Sequence, residues 1–322
     1  MTEPLVQVRD LTVAFVNREK TIAAVNGVSF DLAAGGVLGV LGESGSGKSV
    51  MLRSLLRLHA PKRTRIGGSI KVAGQSVLDL GPDAVEDYRG KVCSMVFQEP
   101  MLAFDPVFTV GRQIEESVRR HEGVDQATAR ARALEMFERV RIPSPQRRLD
   151  AYPHEFSGGM RQRAMIALAL ACKPKLLLAD EPTTALDATV QIQILLLLRE
   201  LQRDLGMSVI FVTHDIGVAV EVSDRVAVMY AGRFVEHGPL AGVVKTPRHP
   251  YTRGLMAATL HGASRGKRLE AIPGAPPDLT RLPPGCSFAP RCAQADDACL
   301  AAVPDLAEVA PLHHARCVKL AS

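Results

Sequence analysis

The sequence contains no tryptophan, and its four Tyr and ten Phe together make up only 4% of the 322 residues. Surfaces that stack nucleic-acid bases combine aromatic with basic side chains, so this scarcity argues against nucleic acid as a partner. Long apolar runs are also missing. An apolar stretch such as 164–172 reaches about nine residues, whereas a membrane-spanning helix needs about 20. We therefore expect no membrane span.

A strong charge of either sign is absent as well. Lys and Arg number 39 against 34 Asp and Glu, a net charge of +5, which fits an ordinary solvated surface. Residues 1–4 contain neither the basic nor the apolar region of a secretory signal, so we expect a cytosolic chain. With 47% hydrophobic and 23% charged residues, the composition is globular, and the length suggests two domains at about 150 residues per domain.

Strand and helix patterns alternate after an all-strand start at 5–40, which predicts an α/β domain with a largely parallel sheet. The predicted buried strands are 37–41, 92–97, 176–179, 209–212 and 226–230. The predicted helices are 48–58, 110–120, 126–139, 159–171 and 190–205. Two helical patterns follow each other between residues 108 and 141 without an intervening strand, which indicates a helical insertion.

The composition changes after about residue 240. Eight prolines fall between 247 and 290, and four of the six cysteines fall between 286 and 317. This proline-rich composition with little hydrophobic periodicity is typical of loops and differs from the alternating strand and helix patterns before it. We therefore predict two domains, residues 1–240 and a small Cys-rich extension at 241–322.

The segment from Gly42 to Ser49 has the pattern G-x-x-x-x-G-K-[ST] between an apolar strand and a helix, as a phosphate-binding loop requires. Small residues let backbone N–H groups surround phosphate oxygens, and the helix N-terminus adds favourable partial charge. Lys48 supplies a positive charge for the β- and γ-phosphates, and the Ser49 hydroxyl is placed to bind Mg²⁺. The predicted nucleotide-binding residues of this segment are Gly42, Glu43, Ser44, Gly45, Ser46, Gly47, Lys48, Ser49 and Val50.

A carboxylate is needed to complete the magnesium site. The apolar strand 176–179 ends in Asp180 and Glu181. We predict that Asp180 holds the Mg²⁺ shell and that Glu181 polarises the attacking water as general base. In isolation the pair would be read as negative charge at a helix N-terminus, but downstream of a phosphate loop that alternative is the weaker one.

Four further segments indicate which family of phosphate-loop ATPases the chain resembles. They contain Gln98, the Ser-Gly-Gly at 157–159 that opens a helix, the Ala-Leu-Asp at 185–187, and His214. In this order the motifs resemble those of the ATP-binding-cassette (ABC) family, and the resemblance covers about residues 5–240. It implies a P-loop NTPase fold with a RecA-like core, an antiparallel β subdomain and an α-helical subdomain at about 99–172.

The resemblance assigns roles around the γ-phosphate. It makes Gln98 a sensor of the γ-phosphate that couples to the transport partner, and His214 the switch histidine. The implied Mg²⁺ ligands are Ser49, Gln98 and Asp180, and the implied catalytic residues are Glu181, His214, Lys48 and Gln98.

The resemblance also implies a dimer. Ser157, Gly158 and Gly159 correspond to a signature loop that faces the nucleotide of an opposite subunit, and Asp187 to a loop at the dimer interface. Phe15 stands where an aromatic ring stacks on adenine, although an ordinary core Phe is the alternative. The signature has Phe156 and Met160 where many members have Leu and Gln. With the Arg-Gln-Arg at 161–163, it resembles the signature of one of the two unlike ATPases in peptide importers, so we expect a heterodimer with a homologous subunit.

Four cysteines of the extension, Cys286, Cys292, Cys299 and Cys317, have the spacing C-x5-C-x6-C-x17-C. In a cytosolic chain this favours a metal site over disulfides, and the wide spacing fits zinc ribbons poorly. The segments at 248–255 and 284–292 resemble the oligopeptide/dipeptide/nickel branch of ABC importers. Since some members of that branch hold an iron–sulfur cluster there, we expect a [4Fe–4S] cluster, with zinc or no metal as the alternatives.

These features predict the ATP-hydrolysing subunit of an importer for di- or oligopeptides, with ATP and Mg²⁺ as ligands. The resemblance implies two transmembrane permease subunits, an extracytoplasmic binding protein, and a peripheral position at the cytoplasmic face of the cell membrane. Import of nickel or another small solute is the alternative. A soluble DNA-repair or translation ATPase, an inactive cassette and an exporter fit less well, because no second cassette, lost catalytic residue or fused span is present.

Overall fold

The computed structural model describes residues 3–183, 186–260 and 272–320. By its internal packing the chain divides into two units. The first unit comprises the described parts of Met1–Val6, Leu32–Gly36 and Lys71–Phe211. The second unit comprises the described parts of Gln7–Asp31, Val37–Ile70 and Val212–Ser322.

The structure contains helices in both units. They are α1 (Lys48–Leu55), α2 (Pro82–Lys91), α3 (Val110–Glu122), α4 (Gln126–Arg139), α5 (Pro145–Leu149), α6 (Gly158–Leu170), α7 (Ala188–Leu205), α8 (Ile216–Val222), α9 (Leu240–Lys245), α10 (Pro250–Leu260) and α11 (Asp297–Ala301). Across the described residues, none of these helices combines the length and apolar character needed to cross a bilayer.

The strands are equally spread along the chain. They are β1 (Val6–Val16), β2 (Thr21–Leu32), β3 (Val37–Leu41), β4 (Thr64–Val72), β5 (Gln75–Ser76), β6 (Cys93–Val96), β7 (Leu176–Asp180), β8 (Ser208–Thr213), β9 (Arg225–Tyr230), β10 (Arg233–Pro239), β11 (Ala307–Ala310) and β12 (His313–Ala315).

In the first unit the strands run in the order β8, β7, β6. β6 and β7 are parallel, with Cys93 opposite Leu176 and Val96 opposite Ala179. Every residue of β7 is buried, as expected for a parallel strand that is covered on both faces. The end of this strand therefore holds its last carboxylate, Asp180, at a fixed place.

Three helices of the first unit, α3, α4 and α6, pack against one another. Thr109 begins α3 by accepting a hydrogen bond from the Arg112 N–H, and Gly123 ends it with a φ of 68°. Asp125 begins α4 by accepting from the Thr128 N–H. Such caps satisfy N–H groups that have no partner within the helix. The two consecutive helices predicted between residues 108 and 141 are confirmed, while their assignment to a separate helical subdomain stays a prediction.

In the second unit the strands run in the order β11, β12, β10, β9, β3. β3 lies parallel to β9, with Leu41 opposite Val228, and β10 is antiparallel to both β9 and β12. The same unit holds β2, β1 and most of β4 as neighbours in a second sheet. β3 is buried along its whole length and leads directly into the segment Gly42–Ser49.

The core of the second unit joins the strands to the region after residue 240. It includes Leu41, Val226, Val228, Tyr230, Tyr251, Met256 and Phe288. The predicted boundary at residue 240 stays a prediction, because the second unit combines segments from both sides of it. The last residues nevertheless contain regular structure, since β11 and β12 extend the sheet at β10.

All five predicted buried strands and all five predicted helices are confirmed, with ends that differ by at most three residues. The largest difference is at α1, which ends at Leu55 rather than at residue 58. Arg57, two residues further, has a φ of 52°, which is incompatible with a continuing right-handed helix.

Candidate nucleotide site

The phosphate loop between β3 and α1 depends on glycine. Gly42 and Gly47 have φ values of 150° and 104°. A Cβ atom at Gly42 would lie 2.2 Å from the Met229 carbonyl oxygen, and one at Gly47 would lie 2.3 Å from the Ala24 carbonyl oxygen. Both glycines are therefore required, because no side chain fits against these fixed backbone atoms.

Lys48 lies at the first position of α1 and is only 5% exposed. Its Nζ donates to the carbonyl oxygens of Gly42, at 2.7 Å, and Glu43, at 2.9 Å. Gly47, which precedes α1, supplies no side-chain cap to the N-terminus of this helix. An ammonium group and a helix N-terminus thus meet at one loop, which is a suitable arrangement for binding phosphate.

Two residues that sequence reasoning did not single out contact Glu43 of this loop. The Tyr251 hydroxyl accepts a hydrogen bond from the Glu43 N–H at 2.9 Å. Arg291 donates to both carboxylate oxygens of Glu43, at 2.7 and 3.0 Å. The only signal in the sequence was that both lie in the segments 248–255 and 284–292, and no local pattern there points to a partner more than 200 positions away.

The first unit brings Gln98 and the two carboxylates together. Asp180 is 1% exposed at the end of β7. Glu181 follows with a φ of 45°, a backbone conformation that is costly for a residue with a side chain and is frequent at functional sites. The Gln98 Nε2 donates to the Glu181 Oε2 at 3.4 Å. The residues predicted to handle Mg²⁺ and water in this unit are therefore neighbours.

The residues of the predicted signature loop also lie in the first unit. Ser157 begins α6, and its Oγ accepts from the Met160 N–H at 3.4 Å. A Cβ atom at Gly159 would lie 3.1 Å from Val190 Cγ1 of α7. Asp187 begins α7 by accepting from the Val190 N–H at 3.0 Å. The signature loop and Asp187 are thus neighbours, while Ala185 of the same motif lies outside the described residues.

Phe15 and His214 belong to the second unit, like the phosphate loop. Phe15 is partly exposed, and its ring packs edge-on against His59 with centroids 5.4 Å apart. It is therefore less buried than an ordinary core Phe. His214 is exposed directly after β8. Their predicted roles at adenine and at the γ-phosphate stay predictions.

The donor atoms of the predicted magnesium ligands suit that ion. Mg²⁺ prefers oxygen ligands, and Ser49, Gln98 and Asp180 offer a hydroxyl, an amide and a carboxylate oxygen. The loop around Lys48 likewise suits a polyphosphate, because it joins the ammonium group of Lys48 to the N-terminus of α1. The residues present fit MgATP on chemical grounds.

The predicted iron–sulfur cluster is wrong. Among the described residues, which include Cys286, Cys292, Cys299 and Cys317, no group of three or more His, Cys, Asp or Glu could hold a metal ion. The four thiols line one narrow apolar pocket and are free cysteines. Burial raises the pKa of Cys286 and of Cys317.

His313 of β12 is buried in the second unit. This residue is 2% exposed, and its Nε2 lies 2.7 Å from the Glu236 Oε1. Glu236 also accepts from the Arg248 and His249 N–H groups. The buried carboxylate therefore fixes the start of α10. Cys93 is buried, whereas Cys172 is only partly buried.

A buried parallel strand, a glycine loop and a lysine at a helix N-terminus define a P-loop nucleotide-binding protein. Comparison with known families goes further, because residues 25–184 match the ABC transporter model and residues 235–299 match the C-terminal region of oligopeptide/dipeptide transporters. The chain belongs to the ABC transporter family. As a member it is an ATP hydrolase that is coupled to transport.

Relatives and solved structures agree with this assignment. The chain is 50% identical, over 93% of its length and 90% of the relative's, to a Brucella melitensis protein named as a peptide import ATP-binding protein. A second B. melitensis protein of the same description is 49% identical over 98% of this chain and 97% of the relative. A dimeric ATP-binding cassette solved with ADP and Pi matches with a TM-score of 0.65, 30% identity and coverage of 73% of this chain and 98% of that one.

Proposed function

We propose that this chain energises the uptake of di- or oligopeptides by binding and hydrolysing ATP for a membrane permease. The observation that carries the proposal is the presence on one chain of an ATP cassette and the C-terminal region of oligopeptide/dipeptide transporters. The names of the relatives that match nearly the whole chain, which describe peptide import, support the same substrate class.

The residue roles follow from the chemistry of each unit. In the second unit, Lys48 and the N–H groups of the phosphate loop bind the β- and γ-phosphates. In the first unit, Glu181 accepts a proton from the attacking water, and the 3.4 Å hydrogen bond from Gln98 orients its carboxylate. When bound, Mg²⁺ supplies positive charge to the phosphate oxygens, and Ser49, Gln98 and Asp180 are its proposed ligands. His214 is proposed to contact the γ-phosphate, and Phe15 the adenine.

A dimer is part of the proposal. Ser157, Gly158 and Gly159 lie at the N-terminus of α6, where N–H groups favour an anion. We propose that this loop faces the nucleotide of an opposite, homologous ATPase subunit, and that Asp187 lies at the interface. The match to a dimeric cassette supports this arrangement. ATP then joins the two subunits, and its hydrolysis releases them.

The proposal places the chain at the cytoplasmic face of the cell membrane, bound to two permease subunits that receive peptides from an extracytoplasmic binding protein. Uptake by cells in which Glu181→Gln replaces the wild-type chain tests it. We expect the cells to lose uptake of labelled di- or oligopeptides while Ni²⁺ uptake is unchanged. Loss of Ni²⁺ uptake alone would instead move the chain to nickel import, and full retention of peptide uptake would contradict the proposal.

A further inference from the structure

The C-terminal segment of the second unit holds one residue of the phosphate loop by both its backbone and its side chain. The Glu43 N–H donates to the Tyr251 hydroxyl, and the Glu43 carboxylate accepts two hydrogen bonds from the Arg291 guanidinium. A two-point contact of a guanidinium with a carboxylate is short and directional, which makes it stronger than a simple surface ion pair.

The two side chains that hydrogen-bond to Glu43 are themselves held in place by their surroundings. Tyr251 is fully buried, and the Arg291 side chain is 5% exposed. The rings of Tyr230, Tyr251 and Phe288 form a cluster with centroids 4.5 to 5.4 Å apart, and Arg291 lies 5.8 Å from the Tyr230 centroid. Arg291 also donates to the Pro273 carbonyl oxygen at 2.8 Å. Side chains held in this way lose little further freedom when they orient a loop.

The negative charge of Glu43 explains why its ion pair with Arg291 affects the binding of an anion. A carboxylate within a loop that surrounds phosphate opposes the binding of an anion. Arg291 offsets that charge, and its hydrogen bonds to Glu43 raise its own pKa further above the usual arginine value, so the guanidinium stays positive. The Glu43 carbonyl oxygen accepts from the Lys48 Nζ at 2.9 Å. The same residue thus connects Arg291 and Tyr251 to the phosphate-binding lysine.

We propose that Arg291 and Tyr251 are positioning residues for nucleotide binding. By holding and neutralising Glu43, they keep the phosphate loop in the conformation that receives MgATP. This inference rests on the proposed function, because it takes the loop to be an ATP site. It gives the C-terminal segment a direct effect on nucleotide affinity, in addition to its place in the core of the second unit.

Equilibrium titration of the purified full-length chain with MgATP tests the proposal. In Arg291→Gln the Glu43 carboxylate loses its partner, and we expect the dissociation constant to rise about tenfold. Adding Glu43→Gln to that variant removes the unpaired charge, and we expect affinity to return to within about threefold of wild type. Tyr251→Phe removes only the acceptor of the Glu43 N–H, for which we expect a rise of about threefold.

Arg316→Gln is the matched control. Arg316 is a half-buried arginine of the same segment whose guanidinium donates to the Phe234 and Pro304 carbonyl oxygens rather than to Glu43. We expect its MgATP affinity to stay within about twofold of wild type. In steady-state assays, the Arg291→Gln KM for ATP should rise while kcat changes little, since uniform binding is lost.

Wild-type affinity in Arg291→Gln, an equal loss in Arg316→Gln, or no recovery in the double variant would each contradict the proposal. If Arg291→Gln does not fold, Tyr251→Phe decides the question, and unchanged affinity in that variant is the contradicting result. Failure of the wild-type chain itself to bind MgATP would instead contradict the proposed function, and the positioning role with it.

Discussion

In the proposed mechanism, Glu181 is the residue on which hydrolysis depends most directly. Its carboxylate accepts a hydrogen bond from Gln98 and its backbone has a φ of 45°. In Glu181→Gln the amide cannot accept a proton from water, so we expect ATP turnover to fall at least about 100-fold. MgATP binding should remain, because the phosphate loop is unchanged. Equilibrium binding and phosphate release, measured on the same preparation, separate the two effects.

Glu200→Gln is the control for this prediction. Glu200 pairs with Arg141 at 2.6 Å, and both side chains are about half exposed. Exposed pairs contribute at most about 1 kcal/mol, so turnover should stay within about twofold of wild type. Turnover of Glu181→Gln within a few-fold of wild type would remove the general-base role.

We expect His249 to make the stability of the fold depend on pH. It is 1% exposed, and its Nδ1 accepts a hydrogen bond from the Tyr251 N–H. Burial, helped by the charge of Arg253, lowers the pKa of His249 to about 3. The unfolded chain binds a proton near pH 6.5, whereas the folded chain does not until about pH 3. The contribution of neutral His249 to the free energy of unfolding is therefore fully present above pH 6.5 and is lost as the pH falls towards 3.

Denaturant unfolding at pH 7 and pH 5 measures this effect. Between these two values one such histidine lowers the free energy of unfolding by about 2 kcal/mol. His249→Gln removes that proton uptake, so the variant should lose about 2 kcal/mol less than wild type on acidification. An equal loss in the two proteins would show that His249 does not carry the pH dependence.

At the scale of elements, the start of α7 offers a defined test. The Asp187 side chain accepts from the Val190 N–H at 3.0 Å. Asp187→Ala leaves this N–H without its cap, which should lower the free energy of unfolding by about 1 kcal/mol. Asp187→Asn keeps an acceptor and should stay within a few tenths of a kcal/mol. Equal stability of the Ala and Asn variants in denaturant unfolding would contradict the capping role.

The elements that carry motifs could be predicted from the sequence, since their signals are local. The buried run of β3, the glycines after it and Lys48 lie within a dozen positions of one another, and β7 with Asp180 is equally continuous. β10 and β12 were not predicted, because their pairing, Glu236 with Ala315, joins segments that are distant in the sequence. The contacts of Tyr251 and Arg291 with Glu43 were not predicted for the same reason.

For the cysteines, a local sequence pattern led to a prediction that was wrong. The sequence placed four thiols in one loop-rich segment, and the structure does bring them to one pocket. Spacing alone could not show that burial raises the pKa of Cys286 and Cys317, or that the described residues lack a metal-binding group. Proximity in the sequence therefore indicated a shared environment but not its chemistry.

At the scale of the whole molecule, the region after residue 240 should be required for folding. Tyr251, Met256 and Phe288 belong to the same core as Leu41 and Val228. A chain that ends at residue 240 exposes that core, and loss of several large buried side chains at about 3 kcal/mol each exceeds the stability of most domains. We expect such a chain to be insoluble or to lack a cooperative thermal transition. A melting temperature equal to that of the full chain would contradict this.

ATP-driven peptide uptake by the purified transporter tests the proposed function most directly. The complex of permease, ATPase subunits and binding protein is reconstituted in vesicles with ATP on the side of the ATPases. Labelled di- or oligopeptide that enters is then counted. We predict uptake that requires ATP and is lost when this chain carries Glu181→Gln. Equal uptake with wild-type and Glu181→Gln chains would show that hydrolysis by this subunit does not drive transport.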